Sequence, residues 1–218
     1  MDFFLASFLT GILNFFIKGG LFMFFLLALS VCSVTVIILR AIALRQADVL
    51  PEALCNEIER LQPGEDLDKL QALIPRHLSP LSRVLGTLIK HLTWPRSELI
   101  EAVQTRARYE VAGMEKGLVI LEIATGVAPL LGLLGTLSGL VGIFSSIGAD
   151  PVAVARGIAE ALNTTIVGLA VAVPCMIMYN YFQRRIEVMA MEMESLVADL
   201  VAKCYPQGAA PTILKISR

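Results

Sequence analysis

The chain has 218 residues, of which 56% are hydrophobic and 17% charged, with a formal net charge of −1. So large an apolar share lies outside the range of soluble globular domains. The basic residues are dispersed among acids, which excludes a nucleic-acid face built on clustered positive charge. The four cysteines form no CxxC pair, and His77 and His91 stand too far apart to make a local ligand pair, so neither a disulfide framework nor a metal site is expected.

The first twenty residues, MDFFLASFLTGILNFFIKGG, lack a basic n-region and a small-residue cleavage site. They are read as an apolar or amphipathic lead-in rather than a cleaved signal. An apolar run of about 18 residues or more marks a membrane-crossing helix. Three stretches qualify, and they set the expected organisation: a lead-in over 1–20, a first span over 21–42, a polar helical segment over 43–117, a second span over 118–147, a turn over 148–156, a third span over 157–182 and a helical tail over 183–218.

Within the polar segment, Leu50, Leu54, Ile58 and Leu61 recur at helical spacing with acids between them, which predicts an amphipathic helix. The run QPGED predicts a break, and Pro75, Pro80 and Pro95 mark later seams. Ser97 before Glu98 and Leu99 resembles an N-cap. From there no proline intervenes before Pro129, so one long helix is expected to run into the second span. The first span is likewise expected to continue past Arg40 towards Pro51, and the tail IEVMAMEMESLVADLVAKCY to extend the third span until Pro206 and Gly208. No repeat of fixed period is found. The expected fold is an all-α membrane protein of three transmembrane helices whose long helices extend into a cytoplasmic helical bundle.

Charge orients it. Lys18 and Arg156 are the basic residues on one side of the spans, and the other 16 of 18 lie on the opposite side. Basic residues near span ends stay cytoplasmic, which places the N-terminus outside and the C-terminus inside.

The spans carry polar residues where lipid disfavours them: Glu122, Thr125, Thr136, Glu160, Asn163, Thr164 and Thr165. Ionisable groups at such depth usually face a bundle interior or a watery path. On a helical wheel Thr125, Pro129, Gly132, Thr136 and Gly139 share one stripe of the second span, with Ala128, Gly135 and Gly142 beside it. On the third span Ala161, Thr165, Gly168 and Ala172 make a small-residue stripe, and Glu160, Thr164, Val167 and Val171 an adjacent one. Small residues let membrane helices approach closely. Thr136 and Thr165 fall at a common depth of roughly 13–17 Å below the outer surface, from the helical rise per residue. Plainer readings stand beside these. A lone membrane threonine commonly bonds its own i−4 carbonyl, glycine stripes serve packing, a glutamate near an interface can snorkel, and Pro129 and Pro174 can simply kink their helices.

There is no GxSxG, HExxH, Walker loop or glycine-rich nucleotide fingerprint, so no enzyme activity, catalytic residue or cofactor is expected. Energy for any work would come from a gradient or a partner.

The paired segments APLLGLLGTLSGLVGIF and GIAEALNTTIVGLAVAVPCMIMYN closely resemble the ExbB/TolQ branch of the MotA/TolQ/ExbB proton-channel family. The GG-x-x-M lead-in at Gly19, Gly20 and Met23, with Arg40 closing the first span, also fits. Three spans favour that branch over the four-span flagellar one. The resemblance implies a homopentamer in the bacterial inner membrane, its second and third spans lining a central pore. It implies a single-span ExbD/TolR-like partner in that pore, bearing a protonatable aspartate, and a TonB/TolA-like periplasmic protein that receives the work. By motif, Thr136, Glu160 and Thr165 match the pore positions. Thr164, Thr125 and Glu122 complete the candidate proton pathway, and Gly132, Gly135, Gly139, Gly142, Gly168 and Pro129 the candidate packing surface. Contact with membrane lipid is implied, and none with nucleic acid. The expectation is a motor stator driven by proton flow; the alternative is a passive oligomeric scaffold without conduction.

Overall fold

The computed structural model describes residues 20–144 and 151–205. Every regular element among them is helical: α1 (Gly20–Ala43), α2 (Gln46–Val49), α3 (Glu52–Arg60), α4 (Asp68–Leu73) with a 3₁₀ turn at Ile74–Arg76, α5 (Pro80–Lys90), α6 (Arg96–Glu115), α7 (Leu118–Phe144) and α8 (Pro151–Cys204). The all-α expectation is borne out, as are three membrane-length apolar helices, at Leu21–Ala43, at Leu118–Phe144 and in the first part of α8. The lead-in over 1–19 and residues 145–150 lie outside the described residues. The remainder of the expected turn, 151–156, is helical and opens α8, so the third apolar helix starts before 157.

The chain divides into two compact units. One comprises the described residues up to Leu39 together with Gly117–Tyr181; the other comprises Arg40–Lys116 and the residues from Phe182 onward.

The first unit is mostly apolar on its surface. Its outward face carries Phe24, Val31, Ile38, Leu130, Val141, Ile166 and Ile177, large side chains that hydrocarbon tolerates and water does not. Inside, Leu26, Ala128 and Ala172 pack together, with Leu29, Leu131, Val167 and Val171 around them. Pro129 and Pro174 both sit within unbroken helices.

The second unit follows the rules of proteins in water. In α3, Leu54 and Ile58 are fully buried, and Leu50 and Leu61 flank them, as the spacing predicts. The QPGED break is a turn in which the Gln62 amide donates to Glu65 Oε2 (3.0 Å) and Gly64 has φ +84°. α5 buries Leu81, Val84, Leu85 and Leu88 and packs on α6, which buries Leu99, Val103, Ala107 and Met114. The tail of α8 contributes a stripe of Phe182, Ile186, Met189, Met193, Val197 and Leu200. It is pinned by Lys203, whose ammonium donates to the Ile58 carbonyl (2.8 Å), and by the Tyr205 hydroxyl, within 2.5 Å of the Leu92 carbonyl oxygen and 2.9 Å of the Trp94 one.

Three expectations about this unit are corrected. α1 ends at Ala43, well before Pro51, because the chain turns to bury Leu44, Val49 and Leu50, with Arg45 extended at φ −71°, ψ 135°. The chain from Ser97 to Pro129 is not one helix: it breaks after Glu115, where Gly117 takes φ +91°, a left-handed conformation that glycine adopts without steric penalty. Ser97 is not a cap. α6 starts at Arg96, after an extended Pro95 and with no side-chain cap; the serine that caps a helix is Ser79, at the start of α5, whose hydroxyl accepts the Ser82 amide at 3.1 Å.

One buried charge ties α5 to α6. Glu110 is 5% exposed. Its Oε2 accepts Arg83 Nε at 2.9 Å and Nη2 at 2.5 Å, while Oε1 lies 2.6 Å from Arg106 Nη2 as an ion pair without hydrogen-bond alignment. The bond to Glu110 raises the Arg83 pKa against the opposing effect of burial. A pKa raised on folding adds stability that is complete below the unfolded value, so the arginine side of this clamp is insensitive to pH across the neutral range. Removing the carboxylate strands two half-exposed arginines. Glu110→Ala is expected to cost about 1–3 kcal/mol, less than a fully buried pair because both arginines reach solvent. Thermal unfolding of the full chain in detergent measures it.

Cys55 lines a groove between α3 and α8 with Glu52, Glu59 and Glu192. Burial raises its thiol pKa, and the Glu59 carboxylate raises it further. The thiolate is therefore scarcer near pH 8 than in an ordinary cysteine. Alkylation of Cys55 by iodoacetamide is expected to be slower than that of glutathione at this pH and to accelerate in Glu59→Gln, as peptide mass mapping over time would record.

Candidate functional site

α7 and the first part of α8 touch at backbone distance, and glycine makes this possible. A Cβ placed on Gly168 would stand 2.6 Å from the Ala128 carbonyl oxygen and 3.1 Å from Gly132 Cα. One on Gly132 would meet the Thr164 carbonyl oxygen at 2.9 Å, one on Gly135 the Thr164 Oγ1 at 2.8 Å, and one on Gly139 the Ala161 Cβ at 2.8 Å. No real side chain fits in such gaps. Gly142 lies off this seam: it is exposed, and a Cβ there meets nothing within 4 Å. Pro129 is half-buried beside the seam.

At the seam three hydroxyls converge. Thr136 Oγ1 is 2.5 Å from Thr165 Oγ1 and 3.2 Å from Thr164 Oγ1. Two backbone carbonyls join them. The Ala161 oxygen lies 2.8 Å from the Thr164 hydroxyl and 3.0 Å from that of Thr136. The Gly132 oxygen lies 3.0 Å from the Thr164 hydroxyl and 3.2 Å from those of Thr136 and Thr165. Thr164 is 2% exposed and Thr136 7%, while Thr165 is half-buried at the edge. Each hydroxyl has one proton to donate and can also accept. The cluster satisfies itself among apolar side chains, where an unpaired hydroxyl would be costly.

The other candidates stand apart. Thr125 donates to the Leu121 carbonyl at 2.9 Å, the i−4 bond typical of membrane threonines. Glu122 is exposed on α7, between the exposed Val119 and Ile123. Glu160 and Asn163 are half-buried on α8.

The wheel placed Thr165 on the small-residue stripe and Thr164 beside it; in the structure Thr164 is the more deeply buried of the two. Sequence reasoning also missed the Gly132 and Ala161 carbonyls, which side-chain patterns cannot announce. It missed Ser33 as well, a buried hydroxyl with no hydrogen-bond partner among the described residues. Ser33 lies on the buried face of Leu26, two helical turns on, and that spacing was the available signal.

A model of the MotA/TolQ/ExbB proton channel family matches residues 76–195, a stretch that includes α5, α6, α7 and the threonine-bearing part of α8. The chain belongs to the MotA/TolQ/ExbB proton channel family. Within it, similarity is to the ExbB/TolQ branch. A putative biopolymer transport protein ExbB homolog of Methanothermobacter thermautotrophicus is 32% identical over 185 residues, covering 83% of this chain and 66% of the relative. A putative ExbB-like protein of Synechocystis is 30% identical, covering 76% of this chain and 81% of its own length. The Tol-Pal system protein TolQ of Haemophilus influenzae is 28% identical, covering 85% and 89%. With three membrane-length apolar helices, this MotA/TolQ/ExbB family member is a multi-pass membrane protein.

The seam yields a stability test. Gly168→Ala pushes a methyl into a helix backbone that cannot yield locally, and overpacking of this kind costs about 1–3 kcal/mol. Gly126→Ala, where a Cβ meets nothing within 4 Å, is the control. The first is expected to lower the unfolding temperature in detergent and the second to leave it unchanged or slightly raised.

Proposed function

We propose that the chain is the stator subunit of a motor driven by the proton-motive force. Five copies surround a pore in the bacterial inner membrane, and a single-span ExbD/TolR-like partner occupies that pore. Proton flow through the pair moves the partner, and a TonB/TolA-like periplasmic protein carries the work towards the outer membrane. The chain contributes no enzymatic step: the energy comes from the gradient, at about 2.3 kcal/mol for each charge crossing 100 mV.

The hydroxyl cluster at the α7–α8 seam carries this reading, set within a family of proton channels. A proton path through hydrocarbon needs groups that both donate and accept, and hydroxyls do so without a buried charge. Thr165, at the edge of the cluster, hydrogen-bonds the partner's carboxyl group as it gains and loses its proton, and Thr136 backs it. Glu160 sets the potential at the outer mouth of the path, and Glu122 and Thr125 serve the inner end.

The close glycine seam also favours a second reading, a passive scaffold that holds a partner without conducting. The two part on one experiment. Thr136→Val and Thr165→Val keep the shape of the side chain and remove the hydroxyl. On the motor reading each lowers uncoupler-sensitive activity in cells by about tenfold or more, equivalent to about 1.4 kcal/mol on the barrier, while the assembled complex is still recovered. Full activity in both variants would exclude the motor reading, and indifference to an uncoupler would favour the scaffold.

A further inference from the structure

We propose that Thr164 is a positioning residue of the proton path: its hydroxyl engages the Ala161 carbonyl and so keeps the Thr136–Thr165 hydrogen bond reversible in direction. This rests on the motor reading above and goes beyond it, because Thr164 is too buried to face a lumen.

The argument is one of proton counting. Three hydroxyls bring three protons. Of the two carbonyls, that of Ala161 is approached most closely by Thr164, at 2.8 Å, and next by Thr136, at 3.0 Å. With Thr164 donating to Ala161, the Gly132 carbonyl remains for Thr136 or Thr165, each at 3.2 Å. Two arrangements are then equally complete. In one, Thr136 donates to Thr165 and Thr165 to Gly132. In the other, Thr165 donates to Thr136 and Thr136 to Gly132. No hydrogen bond is lost in passing between them.

That balance suits a carboxyl group that changes protonation. A carboxylate takes the one proton of Thr165, which gives up its donation within the cluster while Thr136 donates to Thr165. A carboxylic acid donates to Thr165, whose own proton then turns back to Thr136, and Thr136 donates to Gly132. Without the Thr164 hydroxyl, the Ala161 carbonyl falls open to Thr136 at 3.0 Å. Thr136 then has a backbone acceptor that competes with Thr165, and one direction of the pair is disfavoured.

Packing holds Thr164 where this works. Its Oγ1, Cβ and Cγ2 fill the space that a side chain on Gly135 would need, at 2.8, 2.9 and 3.2 Å from the position of that absent Cβ. A structural role and a hydroxyl role therefore make opposite predictions. Thr164→Val keeps the bulk and loses the hydroxyl; Thr164→Ser keeps the hydroxyl and loses the methyl.

The experiment measures uncoupler-sensitive proton flux with a pH-sensitive dye in membrane vesicles from the protein's own host, where the complex is intact, against vesicles lacking the chain. Thr164→Val, Thr164→Ser and Thr136→Val are compared, with complex recovery checked for each. Thr164→Val is expected to lose flux by about tenfold or more, a barrier change of the size of one displaced hydrogen bond, and Thr164→Ser to retain most of it. Wild-type flux in Thr164→Val, or a loss in Thr164→Ser as great as in Thr164→Val, overturns the proposal. If Thr136→Val is inactive while Thr164→Val conducts, this inference alone falls. If Thr136→Val alone conducts as the wild type does, this inference falls; if Thr165→Val, measured alongside, does so too, the motor reading falls with it.

Discussion

A hydroxyl in hydrocarbon has few permissible partners, and the α7–α8 seam is built around that scarcity. Thr136, Thr164 and Thr165 satisfy one another and two backbone carbonyls because the helices meet at backbone distance. They meet at that distance because Gly132, Gly135, Gly139 and Gly168 present no side chain. Packing and polar satisfaction are thus one interaction. Lipid gives little hydrophobic incentive for helices to associate, so close van der Waals contact and hydrogen bonds across the seam hold it together.

The two units answer to different solvents. In the first, the outward helix faces are mostly apolar, and small residues (Ala128, Gly132, Gly135, Ala161, Gly168) line the close seam between α7 and α8. In the second, helices have one apolar face, their ends follow capping rules at Ser79, and a buried carboxylate is matched by two arginines. α8 passes from one regime to the other within a single helix. Up to Tyr181 its surface is mostly apolar, interrupted by Arg156, Glu160, Asn163 and Asn180; from Gln183, Arg184 and Arg185 onward it alternates charge with a stripe running from Phe182 to Leu200. Neither proline inside the long helices interrupts them.

This division bears on the chemistry available. A buried ion pair such as Glu110 with its arginines is held by fixed charges and has no reason to move. The threonine cluster has no net charge, and its hydrogen bonds can change direction without separating charge in a low-dielectric setting. The first arrangement suits a joint, and the second suits a path.

Much was legible in the sequence by itself. Run length and composition gave three membrane-length helices and the all-α class, since a 30 Å hydrocarbon layer demands about 20 apolar residues. The motifs around Gly132–Thr136 and Glu160–Thr165 gave the family, and helical periodicity brought Thr136 and Thr165 to one level. The amphipathic spacing of Leu50, Leu54 and Ile58 gave α3. Only the tertiary structure decided that Thr164 and not Thr165 lies deepest in the seam, that Gly132 and Gly168 pack while Gly142 does not, and that backbone carbonyls complete the cluster. A wheel assigns angles about one axis; it does not say how a second helix is rotated against the first, and burial depends on both. The break at Gly117 and the end of α1 at Ala43 also escaped it. A left-handed glycine and a turn made to bury Leu44 are chosen by what the chain packs against, not by the residues alone.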